Sequence, residues 1–413
     1  MSSTYKGLDK QAKYLIYQSI LPAVAYGMFF TDISYFLTSV QGLSYEFMGI
    51  VITVMGISTF LASVPLGMAA DKFGRKKMLI IGTILAGLMM VAFGITANPA
   101  ILLVAAVFEG ISEAALSASS GALLAEKAEA SQRTSVFSLY GFTQSIAYGV
   151  GGISISGVAI FESLGFSNKT GHTLLYVAIA LLALFSTIIL FKVNETPRIK
   201  KARKERSEEE KLSHKQSRSI LAKYVLTGAI IAFGAGMVVP LMTAWLKLQY
   251  GISDSVSGLI LGIASFVIGV ATLASPYIAK KIGLIKAIVV TQAISTIFMF
   301  ATPLFSSYLV ASSIYTVRAF LMNMASPLSQ SMIMGLVDED ERGVASGINA
   351  ALWRLPNALS TFIGAYLMGM GQLAAPFFIA SLLYSASILL FWRFFRGIEM
   401  PEEKIDEKEN KSS

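Results

Sequence analysis

Gly67-Met68-Ala69-Ala70-Asp71-Lys72-Phe73-Gly74-Arg75-Lys76-Lys77 gathers a carboxylate and four basic side chains into a short loop between two stretches without charge. Residues 47–70 and 78–108 contain no Asp, Glu, Lys or Arg. A helix crosses hydrocarbon in roughly 20 apolar residues. The first stretch therefore holds one membrane span, and the second holds a span, a turn and part of the next. Gly74 permits a tight turn between two such helices, and the basic cluster holds the loop at one membrane face, beside anionic lipid.

The rest of the chain repeats this pattern. Charged residues make up 14% of the 413, against about 25% in soluble proteins. Charge-free runs recur at 134–161, 173–191, 255–279, 287–317 and 355–392. They lack the two-residue alternation of a barrel strand, so they read as helices. This predicts an all-α membrane protein with twelve spans near 14–38, 46–70, 77–97, 100–125, 134–161, 172–193, 219–246, 255–278, 284–304, 307–335, 343–369 and 373–395. Asn98-Pro99, residues 303–307 and Gly369-Met370-Gly371 mark breaks. With both termini in the cytoplasm, all but four of the 33 basic residues fall on the cytoplasmic side. Lys169 and Lys247 fall opposite, and Arg318 and Arg354 lie inside spans. That bias obeys the positive-inside rule for a plasma-membrane protein, and it accounts for the net charge of +8 without a nucleic-acid partner. No cysteine is present, which excludes disulfides and Cys-ligated metals; no metal site and no cofactor are expected. The first 13 residues are polar and the apolar segment after them is long enough to remain as a span, so no cleavable signal is expected.

Two halves align at a constant offset of 209 residues. Gly27 and Met28 match Gly236 and Met237; Gly42, Ser44 and Gly49 match Gly251, Ser253 and Gly258; Lys72, Gly74 and Lys77 match Lys281, Gly283 and Lys286; Arg133 matches Arg342. An offset of six spans gives both halves the same orientation, hence two parallel repeats. The expected organisation is a six-helix bundle at 1–193, a charged cytoplasmic linker at 194–218, a second bundle at 219–396 and a disordered acidic tail at 397–413.

The opening loop resembles the signature loop of the major facilitator superfamily. Gly67, Asp71, Lys72, Gly74, Arg75 and Lys76 fit it position for position, with Lys72 for the commoner arginine. The resemblance covers nearly the whole chain and implies two six-helix repeats around a central cavity, which opens to alternate sides. It also implies that Asp71 latches the outward-facing state against the start of span eleven, after Asp338-Glu339-Asp340-Glu341-Arg342-Gly343. A helix N-terminus welcomes a carboxylate by about 0.3–1 kcal/mol. Lys280 stands at the matching position of the second half, so the latch should be one-sided.

Ionisable groups at membrane depth are Asp32, Glu109, Glu113, Arg318 and Arg354. Each costs ~2.5–3.5 kcal/mol at the bilayer centre, so such groups face an interior or a wet path. The resemblance places spans one, four, seven and ten around the cavity, and four of the five lie on these. Glu109 and Glu113 share a helical face, and two close carboxylates in low dielectric cannot both ionise cheaply. Asp32, Glu109 and Glu113 are the proton-coupling candidates. At the repeat offset Glu109 maps onto Arg318, an acid and a base at related positions. Tyr35, Asn323, Asn349, Trp353, Arg354 and Asn357 complete the candidate cavity. The alternative reading is structural ion pairing within the bundle. Span four carries Glu109-Gly110 but has Ala106 where proton-coupled relatives often have arginine. Span five has Gly149-Val150-Gly151-Gly152, without the antiporter proline, and its glycines more simply let helices approach.

The expected function is a monomeric secondary transporter of a small solute, moving drugs or metabolites outward in exchange for protons, with membrane lipid as its surroundings. A carrier of organic anions using Arg318 and Arg354 is the alternative, and a non-transporting membrane sensor is a third class. An enzyme is not expected: His172 and His214 are placed in loops, and no phosphate-binding glycine motif follows a strand.

Overall fold

A computed structural model describes residues 9–127, 133–195, 208–336 and 342–398; the acidic tail beyond 398, linker residues 196–207 and the acidic residues 338–341 lie outside the described residues. Those residues form helices with no strand among them. In chain order they are α1 Lys10–Tyr35, continued by a π-helical turn Phe36–Val40, α2 Tyr45–Phe73, α3 Arg75–Ile95, α4 Pro99–Lys127, α5 Arg133–Ser154, α6 Gly157–Ser163, α7 Asn168–Phe185 and α8 Thr187–Leu190. The second half has α9 Glu208–Gly236, a 3-10 turn Val239–Leu241, α10 Met242–Tyr250, α11 Asp254–Ile282, α12 Leu284–Ala301, α13 Tyr308–Leu336, α14 Arg342–Gly369 and α15 Ala375–Phe395. Among the described residues ten helical stretches are long and apolar enough to cross a membrane. The two beyond those ten, α13 and α14, carry Arg318 and Arg354 and have 29 and 28 residues.

Local chemistry sets the helix ends. Asp9, Ser44 and Ser167 each accept a hydrogen bond from a first-turn N–H of α1, α2 and α7, which satisfies a donor the helix leaves orphaned. Three expected single spans are interrupted, span six only briefly, at Ser186 between α7 and α8. Span five breaks between α5 and α6, and span seven breaks between α9 and α10, where Pro240 cannot continue a helical ladder. Lipid-facing positions are apolar: Val64, Met68, Leu382 and Leu389 are each more than two-thirds exposed, a surface suited to hydrocarbon and not to water.

The repeat is visible in the backbone. Gly42 and Gly251 turn at φ of 74° and 70°, and Gly74 and Gly283 at 110° and 84°; each pair is 209 residues apart. A methyl group on Gly27 would lie 2.1 Å from the Tyr148 carbonyl oxygen, and one on Gly236 would lie 2.0 Å from that of Asn357. Tyr148 and Asn357 are again 209 apart. Ala12, Leu79, Leu123 and Leu124 belong to one buried cluster; Leu221, Ile288, Met332 and Ile333, their counterparts at the same offset, belong to another. Between helices in lipid the attraction is close van der Waals packing, which such small and aliphatic side chains supply.

The described contacts group into two compact units. The first gathers α1 to α8 with Met237–Gly269 and Thr361–Leu373. The second holds α9, Val270–Ser360 and α15. Within the first unit, Gly149 and Gly152 of α5 meet Gly258 and Gly262 of α11, while Gly151 meets α1 at Val24, Gly27 and Met28. The span-five glycines thus serve two helix contacts at once. In the same unit the Ser34 and Thr243 hydroxyls, themselves 209 residues apart, lie 2.6 Å from each other.

Candidate functional site

On α4, Glu109 is fully buried. The Ser112 hydroxyl donates to its backbone carbonyl at 2.7 Å and lies 3.5 Å from Oε2, while Oε1 is buried with no hydrogen-bond partner among the described residues. Glu113 is its electrostatic neighbour, and the buried Tyr26 hydroxyl of α1 interacts with both Glu109 and Ser112. Glu113, half-buried one turn on, accepts a hydrogen bond from Thr59 of α2 at 3.1 Å. Gly110 makes that contact possible. A methyl group there would lie 2.3 Å from the Met55 carbonyl oxygen, so only glycine lets α4 come this close to α2.

The other acid of the first repeat, Asp32 of α1, is also fully buried. Its Oδ2 accepts a hydrogen bond from the Tyr176 hydroxyl at 3.2 Å and lies 3.8 Å from His172 Nε2. Asp254, in the first turn of α11, brings its Oδ2 to 2.6 Å from the same nitrogen. Phe36 stacks on the His172 ring at 5.3 Å and packs on Tyr176 at 4.8 Å. Tyr35 also reaches the Asp254 backbone, and the Lys247 ammonium sits 5.9 Å from the Tyr35 ring centre. The assignment of His172 to a loop is corrected here. It lies within α7 and is fully buried, because Ser167 caps the helix a turn earlier than the apolar run begins. Sequence reasoning also passed over Asp254 as a span-end residue. The signal available was depth: the end of span one and the starts of spans six and eight lie at the same membrane face.

In the second unit Arg318 of α13 is buried. It donates through Nη2 to the Tyr384 hydroxyl, and its guanidinium carbon lies 5.7 Å and 5.5 Å from the rings of Tyr315 and Tyr384. Its Nε is buried without a hydrogen-bond partner among the described residues. Asn323 donates to Ala319 O at 2.8 Å and Asn357 donates to Ala232 O at 3.3 Å. Both amides therefore spend a donor on backbone. Arg354 is half-buried on α14, and the side chains of Asn349 and Trp353 on the same helix lie outside the described residues.

The signature loop closes as a turn at Gly74. Glu195 accepts from the backbone N–H groups of Arg75 and Lys76 at 2.5 and 3.3 Å, so a carboxylate caps α3. A methyl group on Gly74 would lie 2.9 Å from Glu195 Oε2; the glycine is needed for this contact as well as for its positive φ. Arg75 donates to Ala122 O at 3.1 Å and pairs with Glu126 at 3.4 Å. Lys76 donates to Val193 O at 2.8 Å, and Lys72 stands 5.1 Å from the Phe73 ring. A methyl group on Gly67 would meet nothing within 4 Å. The Asp71 side chain lies outside the described residues, as do the acidic residues expected to face it.

A helical protein built from two copies of one unit, exposing apolar side chains to lipid and burying acids and an arginine within its spans, belongs to the repeat-based membrane transporters. The sequence matches the model of the Major Facilitator Superfamily over residues 18–228 and 224–413, and the chain belongs to that family. It is 21% identical over 364 residues to Multidrug resistance protein 2 of Bacillus subtilis (strain 168), covering 86% of this chain and 88% of that one. Its fold is similar to that of a bacterial homolog of the human lysosomal transporter Spinster, crystallised inward-facing and unoccupied, with a TM-score of 0.72, 15% identity, and coverage of 95% and 98% of the two chains. A D-xylose-proton symporter aligns with a TM-score of 0.71 and 17% identity, covering 92% of this chain and 97% of that one.

Proposed function

We propose that this transporter exports drugs or metabolites across the cell membrane in exchange for protons, with both termini in the cytoplasm and Glu109 and Glu113 as the coupling pair. The observation that carries the reading is Glu109: sealed inside the first unit beside Tyr26 and Glu113, with no basic side chain paired with it among the described residues of that unit. An ionised carboxylate in such a place costs several kcal/mol. A carboxyl that holds a proton while sealed and releases it once wetted avoids that cost. Proton exchange is thereby tied to the change of access. Glu113, half-buried and bonded to Thr59, is the step toward water. The resemblance to a multidrug resistance protein supports outward transport of drug-like solutes, and that to a proton symporter supports proton coupling.

Arg318 supports the second reading. A buried guanidinium beside two tyrosines, whose Nε has no hydrogen-bond partner among the described residues, is equipped to hold an organic anion.

The test uses the protein reconstituted into liposomes. A screen for stabilising compounds supplies a ligand, and its transport is measured with and without an imposed pH gradient. Under the proposal the gradient drives transport, and Glu109→Gln abolishes that dependence while leaving ligand binding in place. Transport that ignores the gradient and survives both Glu109→Gln and Glu113→Gln defeats the proton-coupling reading. Loss of ligand binding in Arg318→Ala with the gradient dependence absent favours the anion carrier.

A further inference from the structure

We propose that Asp32, His172 and Asp254 form a binding site for a divalent first-row transition-metal ion, held by one imidazole nitrogen and two carboxylates. One ligand atom from each of the three lies within 4.8 Å of the others, and all three side chains are buried.

The imidazole is presented as metal-binding imidazoles are. Its Nδ1 is 2.9 Å from the Asn168 carbonyl oxygen, a bond in which Nδ1–H donates. This leaves Nε2 facing the carboxylates. Such an outer hydrogen bond to a backbone carbonyl fixes tautomer and ring orientation in metal sites. Stacking on Phe36 holds the plane of the ring, and the Tyr176 hydroxyl orients Asp32.

The polar atoms of the cluster are not all used up by one another. His172 Nε2, Asp254 Oδ2 and Asp32 Oδ1 are all buried without a hydrogen-bond partner among the described residues. Nε2 and Asp254 Oδ2 meet at 2.6 Å, an ion-pair contact that a bound ion would replace. A tetrahedral ion with bonds of ~2.0–2.1 Å spaces its ligand atoms by roughly 3.3 Å. The observed 2.6 and 3.8 Å separations from Nε2 bracket that value.

The charge balance points the same way. With both carboxylates ionised, two negative charges face one imidazole, so one is left over even if the ring carries both protons. Lys247, over the Tyr35 ring, contributes a positive field from one side. Glu162, an electrostatic neighbour of Tyr35, opposes it. A divalent ion bound between the carboxylates neutralises the excess directly. Mixed nitrogen and oxygen donors without thiolate suit ions from Mn²⁺ to Zn²⁺, whereas Mg²⁺ and Ca²⁺ prefer oxygen throughout. Because Asp32 and His172 come from the first repeat and Asp254 from the second, a bound ion would clasp α11 to α1 and α7.

Tag-free full-length protein in detergent is titrated with Zn²⁺ and Mn²⁺ by calorimetry, with Mg²⁺ and Ca²⁺ as controls. One Zn²⁺ per chain is expected, weakened tenfold or more by Asp254→Asn or His172→Gln, since losing even an outer-shell partner of a ligand costs about 10–100-fold. His214→Gln, which removes the chain's other histidine, should leave binding intact. Should the cluster variants aggregate, pulsed electron paramagnetic resonance of Mn²⁺ on the wild type supplies the second measurement: a ¹⁴N coupling from one imidazole is expected. The proposal is overturned if the wild type shows no stoichiometric binding, if the cluster variants bind as it does, if binding follows His214, or if bound Mn²⁺ shows no nitrogen coupling. These readouts are independent of transport and of the coupling pair on α4.

Discussion

Gly27 and Gly236 occupy the same place in the two repeats, and alanine at either should cost the same. A methyl group on Gly27 would lie 2.1 Å from Tyr148 O, and one on Gly236 would lie 2.0 Å from Asn357 O. Ordinary contact begins near 3.4 Å. Each pair of helices must therefore part by more than an ångström, and the obstacle is backbone, which cannot swing aside. Overpacking of this kind costs about 1–3 kcal/mol, and a backbone clash belongs at the upper end. Alanine returns about 1 kcal/mol of helix propensity over glycine. The net loss is about 2 kcal/mol per site, which lowers Tm by about 4–8 °C for a unit of roughly 200 residues. The two sites lie in separate units and share no partner, so the double variant should lose the sum. Thermal unfolding in detergent, followed by intrinsic fluorescence, measures this. Gly67→Ala and Gly121→Ala are the controls, since a methyl group at either meets nothing within 4 Å. If Gly27→Ala and Gly236→Ala melt with the wild type, or if only one is destabilised, the packing equivalence of the repeats is wrong.

Replacing Ser34 and Thr243 together by cysteine should allow a disulfide, because their hydroxyls lie 2.6 Å apart and the native chain has no cysteine to compete; oxidation should block transport and reductant restore it, and transport undiminished by a cross-link proven by mass spectrometry would show that this contact need not open. Tyr384→Phe removes the acceptor of the buried Arg318 guanidinium, at a cost of about 1–3 kcal/mol for the unsatisfied donor; a melting temperature equal to that of the wild type would mean that Arg318 finds another acceptor.

Periodic information was legible in the chain. Apolar runs, basic loops, the 209-residue offset and the turn glycines are local or translational patterns, and they led to the helices, the repeat and the family. Gly74 was readable as a turn because a positive φ demands glycine whatever surrounds it, and Gly42, Gly251 and Gly283 stood out as matches of the repeat. The acids on α1 and α4 and the arginine on α13 were legible as costly charges at membrane depth. Their partners were not. Tyr26 beside Glu109, Tyr384 on Arg318 and Glu195 on the start of α3 lie far away in sequence, and nothing in hydropathy marks a tyrosine or a linker glutamate as a partner.

The Asp32, His172 and Asp254 cluster shows the division most clearly. Composition alone announced a membrane protein, since the cost of burying charge in lipid governs every span separately and can be read residue by residue. Only the tertiary structure joined an acid near the end of one helix to a histidine and an acid near the starts of two others. The close approach of α5 to α1 and α11 at Gly149, Gly151 and Gly152 packs those helices together, and such contacts depend on how helices cross, which no one-dimensional pattern encodes.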